Sequence, residues 1–131
     1  MKLLNSLYKI VSKGVQESSL RYDIQLDASH FIYQAHFPGE PITPGVCLIQ
    51  MAKELLEEHL NQKFNIKMIK NVKFLNVISP VERPQITYVF EKITVDDTTK
   101  TCQAQVLVLS DETPMAKLSF TCETSNEDND R

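Results

Sequence analysis

Only one stretch of this chain can form a long helix, and that limits what everything else can do. Residues Val46–Asn61 contain neither glycine nor proline and are rich in Leu, Met, Ala, Glu and Lys, the residues that favour a helix. Pro44-Gly45 stands just before it, and proline is well tolerated where a helix begins. The first two turns, VCLIQMA, are apolar on nearly every side, whereas KELLEEHL is amphipathic. The helix is therefore expected to enter the core at its N-terminal end and to surface towards its C-terminal end.

Most of the remaining chain has the period of strands. Leu20, Tyr22, Ile24 and Leu26 alternate with Arg21, Asp23 and Gln25, a half-buried strand over 19–27. Leu7 to Lys13 reads as a strand or a loosely packed lead-in, and residues 30–37 as an extended run towards the prolines. Further strands are expected over Asn65–Ile78, Gln85–Val95, Thr101–Leu109 and Pro114–Glu123, with turns at Asp96-Asp97 and Asp111–Pro114. Short turns imply antiparallel neighbours. One helix and one sheet must bury each other's apolar faces, which gives a two-layer α+β domain. Its expected span is 1–123, with 124–131 a disordered acidic tail. Leu107 and Leu109 make one late strand apolar on both faces, which points to a second covered side and hence a dimer.

Composition narrows the function. A length of 131 residues suits one domain, and a formal net charge of −3 with no long basic block argues against nucleic acid as a partner. No segment is long and apolar enough to span a bilayer, and the polar interruptions at Asn5, Ser6 and Lys9 argue against a signal peptide. The three cysteines, Cys47, Cys102 and Cys122, have neither metal nor disulfide spacing. Free thiols and a cytoplasmic location are expected.

The segment His36–Ala52, HFPGEPITPGVCLIQMA, resembles the signature of the 3-hydroxyacyl-[acyl carrier protein] dehydratases of fatty acid synthesis. His36, Phe37, Pro38, Gly39, Pro41, Pro44, Gly45 and Val46 match its pattern. Lys73-Phe74 and the downstream Pro80 resemble the family's strand end. The resemblance implies the hotdog fold, an antiparallel β-sheet wrapped around one central α-helix, and a homodimer or an assembly of dimers with sites at the interface. It implies a substrate carried as a thioester on phosphopantetheine, with no further cofactor or metal. An acyl carrier protein, or another acyl-thioester carrier, would be the partner. Lys67, Lys73 and Arg83 are candidates for meeting such an acidic carrier.

The resemblance also assigns roles. His36 would take the proton from C2, as a neutral imidazole can near physiological pH. The Gly45 N–H, at a helix N-terminus, would stabilise charge on the thioester oxygen. Phe37, Pro44, Val46 and Ile49 would line the substrate site. The family's acidic residue falls at Gln50, which can hold a 3-hydroxyl but has no acidic proton to give. Gln50 has a second reading, as the start of a solvated stripe with Glu54, Glu57 and Asn61 at helical spacing. Glu54 is the nearest carboxylate, one turn or about 6 Å further along, too far to replace the missing acid directly. Cys47 reads as an inert buried thiol. Three functions stay open: a dehydratase, a non-catalytic acyl-thioester binder, and a hotdog thioesterase.

Overall fold

The computed structural model describes residues 2–35 and 39–125. Six strands and two helices follow in the order β1 (Tyr8–Gln16), β2 (Ser19–Leu26), α1 (Ile32–Ala35), α2 (Gly45–Leu60), β3 (Phe64–Phe74), β4 (Gln85–Asp96), β5 (Thr101–Ser110) and β6 (Thr113–Thr124). They form one antiparallel sheet in the order β1-β2-β4-β5-β6-β3. Leu20, Tyr22, Ile24 and Leu26 of β2 are buried, with Ile86, Tyr88 and Phe90 of β4. Cys102, Ala104, Val106 and Val108 of β5, and Ala116, Leu118, Phe120 and Cys122 of β6, are buried too. These are the alternating positions of the sequence. They join one apolar cluster with Cys47, Leu48, Met51, Ala52, Leu55 and Leu56 of α2. This arrangement is the hotdog fold.

Several elements depart from expectation. Along α2 the expected gradient holds for Cys47 and Leu48, which are buried, and for Glu58 and His59, which are exposed near the C-terminal end, but not for Val46. Met51, Ala52, Leu55 and Leu56 are wholly enclosed, but Val46 in the first turn is 65% exposed. The sheet's concave face covers the middle of the helix, and no described residue covers Val46. The run after His30 is not extended. Ile32 N–H donates to His30 Nδ1 and Tyr33 N–H to the His30 carbonyl, which winds the chain into the single turn of α1. The strand expected to reach Ile78 leaves its ladder at Phe74. Beyond it, Leu75 and Asn76 N–H both donate to the Met115 carbonyl, and the Ile78 carbonyl accepts the Thr43 N–H at 2.8 Å. β3 also carries register shifts at Ile66/Met68 and Ile69/Asn71, so a regular alternation cannot place Lys67 and Lys73 on one face.

Leu109 is buried within this chain and Leu107 is half-buried. The doubly apolar strand therefore does not by itself require a second subunit. β6 extends to Thr124, and Ser125 N–H donates to the Lys63 carbonyl, so the sheet takes in the first residues assigned to the tail.

Two hairpins turn on pairs of non-glycine residues with positive φ. Glu17 and Ser18 (52° and 70°) join β1 to β2, and Asp111 and Glu112 (49° and 64°) join β5 to β6. Two-residue turns of this hand match the twist of the strands, but they favour Asn-Gly because other side chains crowd the backbone there. Ser18→Gly and Glu112→Gly are expected to stabilise the fold by a few tenths to about 1 kcal/mol each, read as higher midpoints in urea unfolding. Met51→Ala, which empties the centre of the core, is expected to cost about 2–5 kcal/mol in the same measurement.

Candidate functional site

The helix start is built by the residues on either side of it. Pro44 stands at the N-cap with φ −63° and ψ 145°, and no side chain among the described residues caps the turn. The first backbone N–H groups of such a helix point outwards without an intrahelical partner. Thr43 is fixed from two sides. Its N–H reaches the Ile78 carbonyl, and its hydroxyl lies 3.0 Å from the Tyr33 hydroxyl. The chain before α2 is thereby tied both to α1 and to the segment that follows β3. Burial pushes the Tyr33 phenol up to about 12, so it remains a neutral hydrogen-bonding group.

A groove of about 340 Å³ opens at this helix start, walled by Ile42, Pro44, Leu48, Phe74 and Ile78 and reaching Gly45. Gly45 has a specific reason to be glycine. A Cβ built there would lie 2.5 Å from Cζ of Phe74. The ring of Phe74, itself 52% exposed, lies against the start of the helix. Of the residues singled out in the sequence, the structure brings Pro44 and Gly45 to this groove. Val46 and Ile49 do not line it. His36 and Phe37 lie outside the described residues. Sequence reasoning missed Phe74 as a neighbour of Gly45; its one signal was the Lys73-Phe74 strand end.

Gln50 is half-buried on α2, and its Nε2 donates to Glu54 Oε2 at 2.8 Å. Glu54 itself is buried. The supposed solvated stripe therefore ends beneath the N-terminal segment. Leu3 and Leu4 donate their N–H groups to the Glu54 carboxylate at 2.7 and 2.8 Å, and the Tyr8 hydroxyl donates at 3.0 Å. Glu57 is also engaged, accepting the Phe64 N–H at 2.8 Å. Cys47 is buried one turn before Gln50, and burial, helped by the nearby Glu54 charge, pushes its thiol up. Burial raises the Cys122 thiol as well, to about 12. No cluster of possible metal ligands occurs among the described residues, and no helix is long and apolar enough to cross a membrane.

A fold that wraps one helix in an antiparallel sheet is a hotdog domain, and here the uncapped helix start faces an apolar groove. The chain belongs to the ApeI-like family, described as ApeI dehydratase, whose sequence model matches residues 12–106. Over 56 residues it is 34% identical to the 3-hydroxyacyl-[acyl-carrier-protein] dehydratase FabZ of Clostridium acetobutylicum, a match spanning 37% of this chain and 40% of that relative. Among solved structures it is similar to the dehydratase heterocomplex ApeI:P from Xenorhabdus doucetiae. That match has a TM-score of 0.61 and 18% identity, and covers 86% of this chain and 95% of that one. It also resembles a hypothetical thioesterase with coenzyme A from Streptococcus pneumoniae, with a TM-score of 0.61 and 12% identity, covering 90% of this chain and 85% of that one.

Gly45→Ala is expected to leave the melting temperature within a few degrees of wild type. Alanine suits a helix, and the exposed Phe74 ring can swing aside. The displaced ring and added methyl should nonetheless weaken the binding of any ligand seated in this groove at least about tenfold, a loss of about 1.4 kcal/mol, measured by calorimetry. Separately, Cys47, Cys102 and Cys122 are all buried. They should resist a thiol reagent in the native protein and label fully once the chain is unfolded.

Proposed function

We propose that this chain is a dehydratase-type protein that takes a 3-hydroxyacyl thioester, carried on phosphopantetheine, at the N-terminus of α2. The observation that carries the reading is the uncapped helix start at Pro44-Gly45 opening on an apolar groove. It lies within a segment that matches the dehydratase motif from His36 to Val46. In this reading the thioester carbonyl lies against the Gly45 N–H, where enolate charge is stabilised as C2 loses its proton. His36 takes that proton. The 3-hydroxyl then leaves with a proton, giving the 2-enoyl thioester and water. Gln50 holds the hydroxyl but supplies no proton, so solvent must, at a rate cost of about 10²- to 10⁴-fold.

The partner in this reading is an acyl carrier protein. Lys73 lies directly opposite Lys117 across the β3–β6 ladder, a like-charge pair that an acidic surface would relieve. A homodimer is part of the same proposal. β3 is an open edge of the sheet with Met68, Ile69 and Phe74 each about half exposed, and pairing of two such edges would remove both.

A second reading, a binder of acyl thioesters without catalysis, is favoured by one observation. The only carboxylate beside Gln50 among the described helix residues is Glu54, which is already committed to backbone N–H groups.

Activity assays separate the two. With 3-hydroxyacyl-pantetheine, wild type should form enoyl thioester slowly and release no free thiol. Gln50→Glu should raise the rate by up to about 10²–10⁴, because a carboxyl group beside another carboxylate in apolar surroundings keeps its proton. His36→Ala should abolish turnover in both backgrounds. Binding without turnover in wild type or Gln50→Glu would select the binder, and thiol release would select a thioesterase. Light scattering should give twice the chain mass at micromolar concentration; a monomeric mass with the fold intact counts against the paired edges.

A further inference from the structure

The walls of the groove at the start of α2 are not held equally firmly. Leu48 is buried, and its carbonyl accepts the Tyr88 hydroxyl at 2.9 Å. Ile78 is buried too, and its carbonyl accepts the Thr43 N–H, which ties it to the chain just before the helix. These two form a fixed floor. Phe74 is held differently. It is the last residue of β3, opposite the buried Ala116, so its side chain lies on the helix side of the sheet. Its backbone is fixed by that ladder and by the next two N–H groups, of Leu75 and Asn76, which both reach the Met115 carbonyl. The ring itself is half exposed. It moves only by turning about its own side-chain torsions, as exposed side chains do within nanoseconds.

A single exposed aromatic residue is ordinary. What sets Phe74 apart is where its ring ends. Three ring carbons, Cζ, Cε2 and Cε1, lie 2.5, 2.8 and 3.1 Å from the place that a Cβ on Gly45 would occupy. Beside the first residue of the helix, the ring therefore leaves no room for one more carbon. With the groove empty the ring can yield. With an acyl chain lying between the ring and the floor of Leu48 and Ile78, the ring has that chain on one side and Gly45 on the other. A turn either way then meets atoms.

Building on the dehydratase-type reading, which seats the thioester carbonyl at the Gly45 N–H, we propose that Phe74 is the specificity-determining wall of this groove. It admits acyl groups that carry two hydrogens at C2 and rejects those with a C2 methyl branch. C2 is bonded directly to the carbonyl carbon, so in this pose it falls beside the ring. A branch there adds one carbon where the ring already excludes a Cβ. An unbranched chain runs on along the apolar floor of the groove, whose volume is about 340 Å³. An extra methyl forced into a filled apolar space pushes side chains off their preferred rotamers. One carbon too many in a hydrophobic pocket discriminates by about 10- to 200-fold.

The test uses the full chain and probes that do not turn over: octanoyl-pantetheine and each enantiomer of 2-methyloctanoyl-pantetheine, all with nitrogen in place of the thioester sulfur. Calorimetry gives their affinities. Wild type should bind the straight probe at least about tenfold more tightly than either branched one. Phe74→Ala should keep the fold, since the ring is half exposed. The ratio should then fall to within about threefold of unity, and it should do so through tighter binding of a branched probe than wild type shows. Loss of an ordinary ring contact would instead weaken all the probes and leave the ratio as it was, which overturns the proposal. Equal affinities in wild type, or a preference for a branched probe, overturn it too and leave the acyl-thioester reading intact. Should Phe74→Ala fail to fold, Phe74→Leu decides: its smaller side chain must lower the ratio, and an unchanged ratio overturns the proposal. Binding of no probe to wild type overturns both readings.

Discussion

A carboxylate held against the core of a small domain has to be satisfied on every side, and Glu54 is satisfied by residues far from it in sequence. Leu3 and Leu4 are 51 and 50 positions away, and Tyr8 is 46. An uncompensated charge at this depth would cost several kcal/mol, so the N-terminal segment must dock for α2 to be buried as it is. Docking in turn fixes where β1 begins, since Leu7 and Tyr8 are both enclosed and the Leu7 carbonyl accepts the Asp27 N–H. The hairpin β1–β2 and the central helix are thus positioned by one side chain. The same side chain also holds the amide of Gln50, one turn earlier on the helix.

The segment after β3 stops pairing with β6 to reach Thr43, and that detour brings Phe74 against the helix start at Gly45. A strand continuing to Ile78 would have kept these residues on the ladder, and the groove would have lost a wall. This detour falls where the helix begins, which is also where a ligand would need room.

Much of this was legible in the sequence because the strands alternate cleanly. Leu20 to Leu26 and Cys102 to Val108 each placed their inward residues by period alone. The helix entry was legible because Pro44-Gly45 marks it; its end was less so, since Asn61, counted within the helical run, takes the left-handed conformation of a C-cap, φ 53°. What was not legible depended on long-range partners. Nothing local marks Glu54 as buried, since its neighbours Lys53 and Glu57 look like a surface run and it is Leu3 and Leu4 that cover it. The turn of α1 depends on the His30 ring accepting a backbone N–H, which no apolar period records. The bulges of β3 likewise escape a reading based on strict alternation, and with them the relative placement of Lys67 and Lys73.

The strand order has a consequence for the order of events during synthesis. β3 pairs with β6, and β2 with β4, so neither β2 nor β3 can complete its ladder when it is first made. Residues 75–112 must be added before β6 begins, which at about 5–20 residues per second leaves β3 without its intramolecular partner for roughly 2–8 s. Met68 and Ile69 are part of that waiting strand. Until β6 arrives both edges of β3 are open, whereas the completed sheet leaves only one.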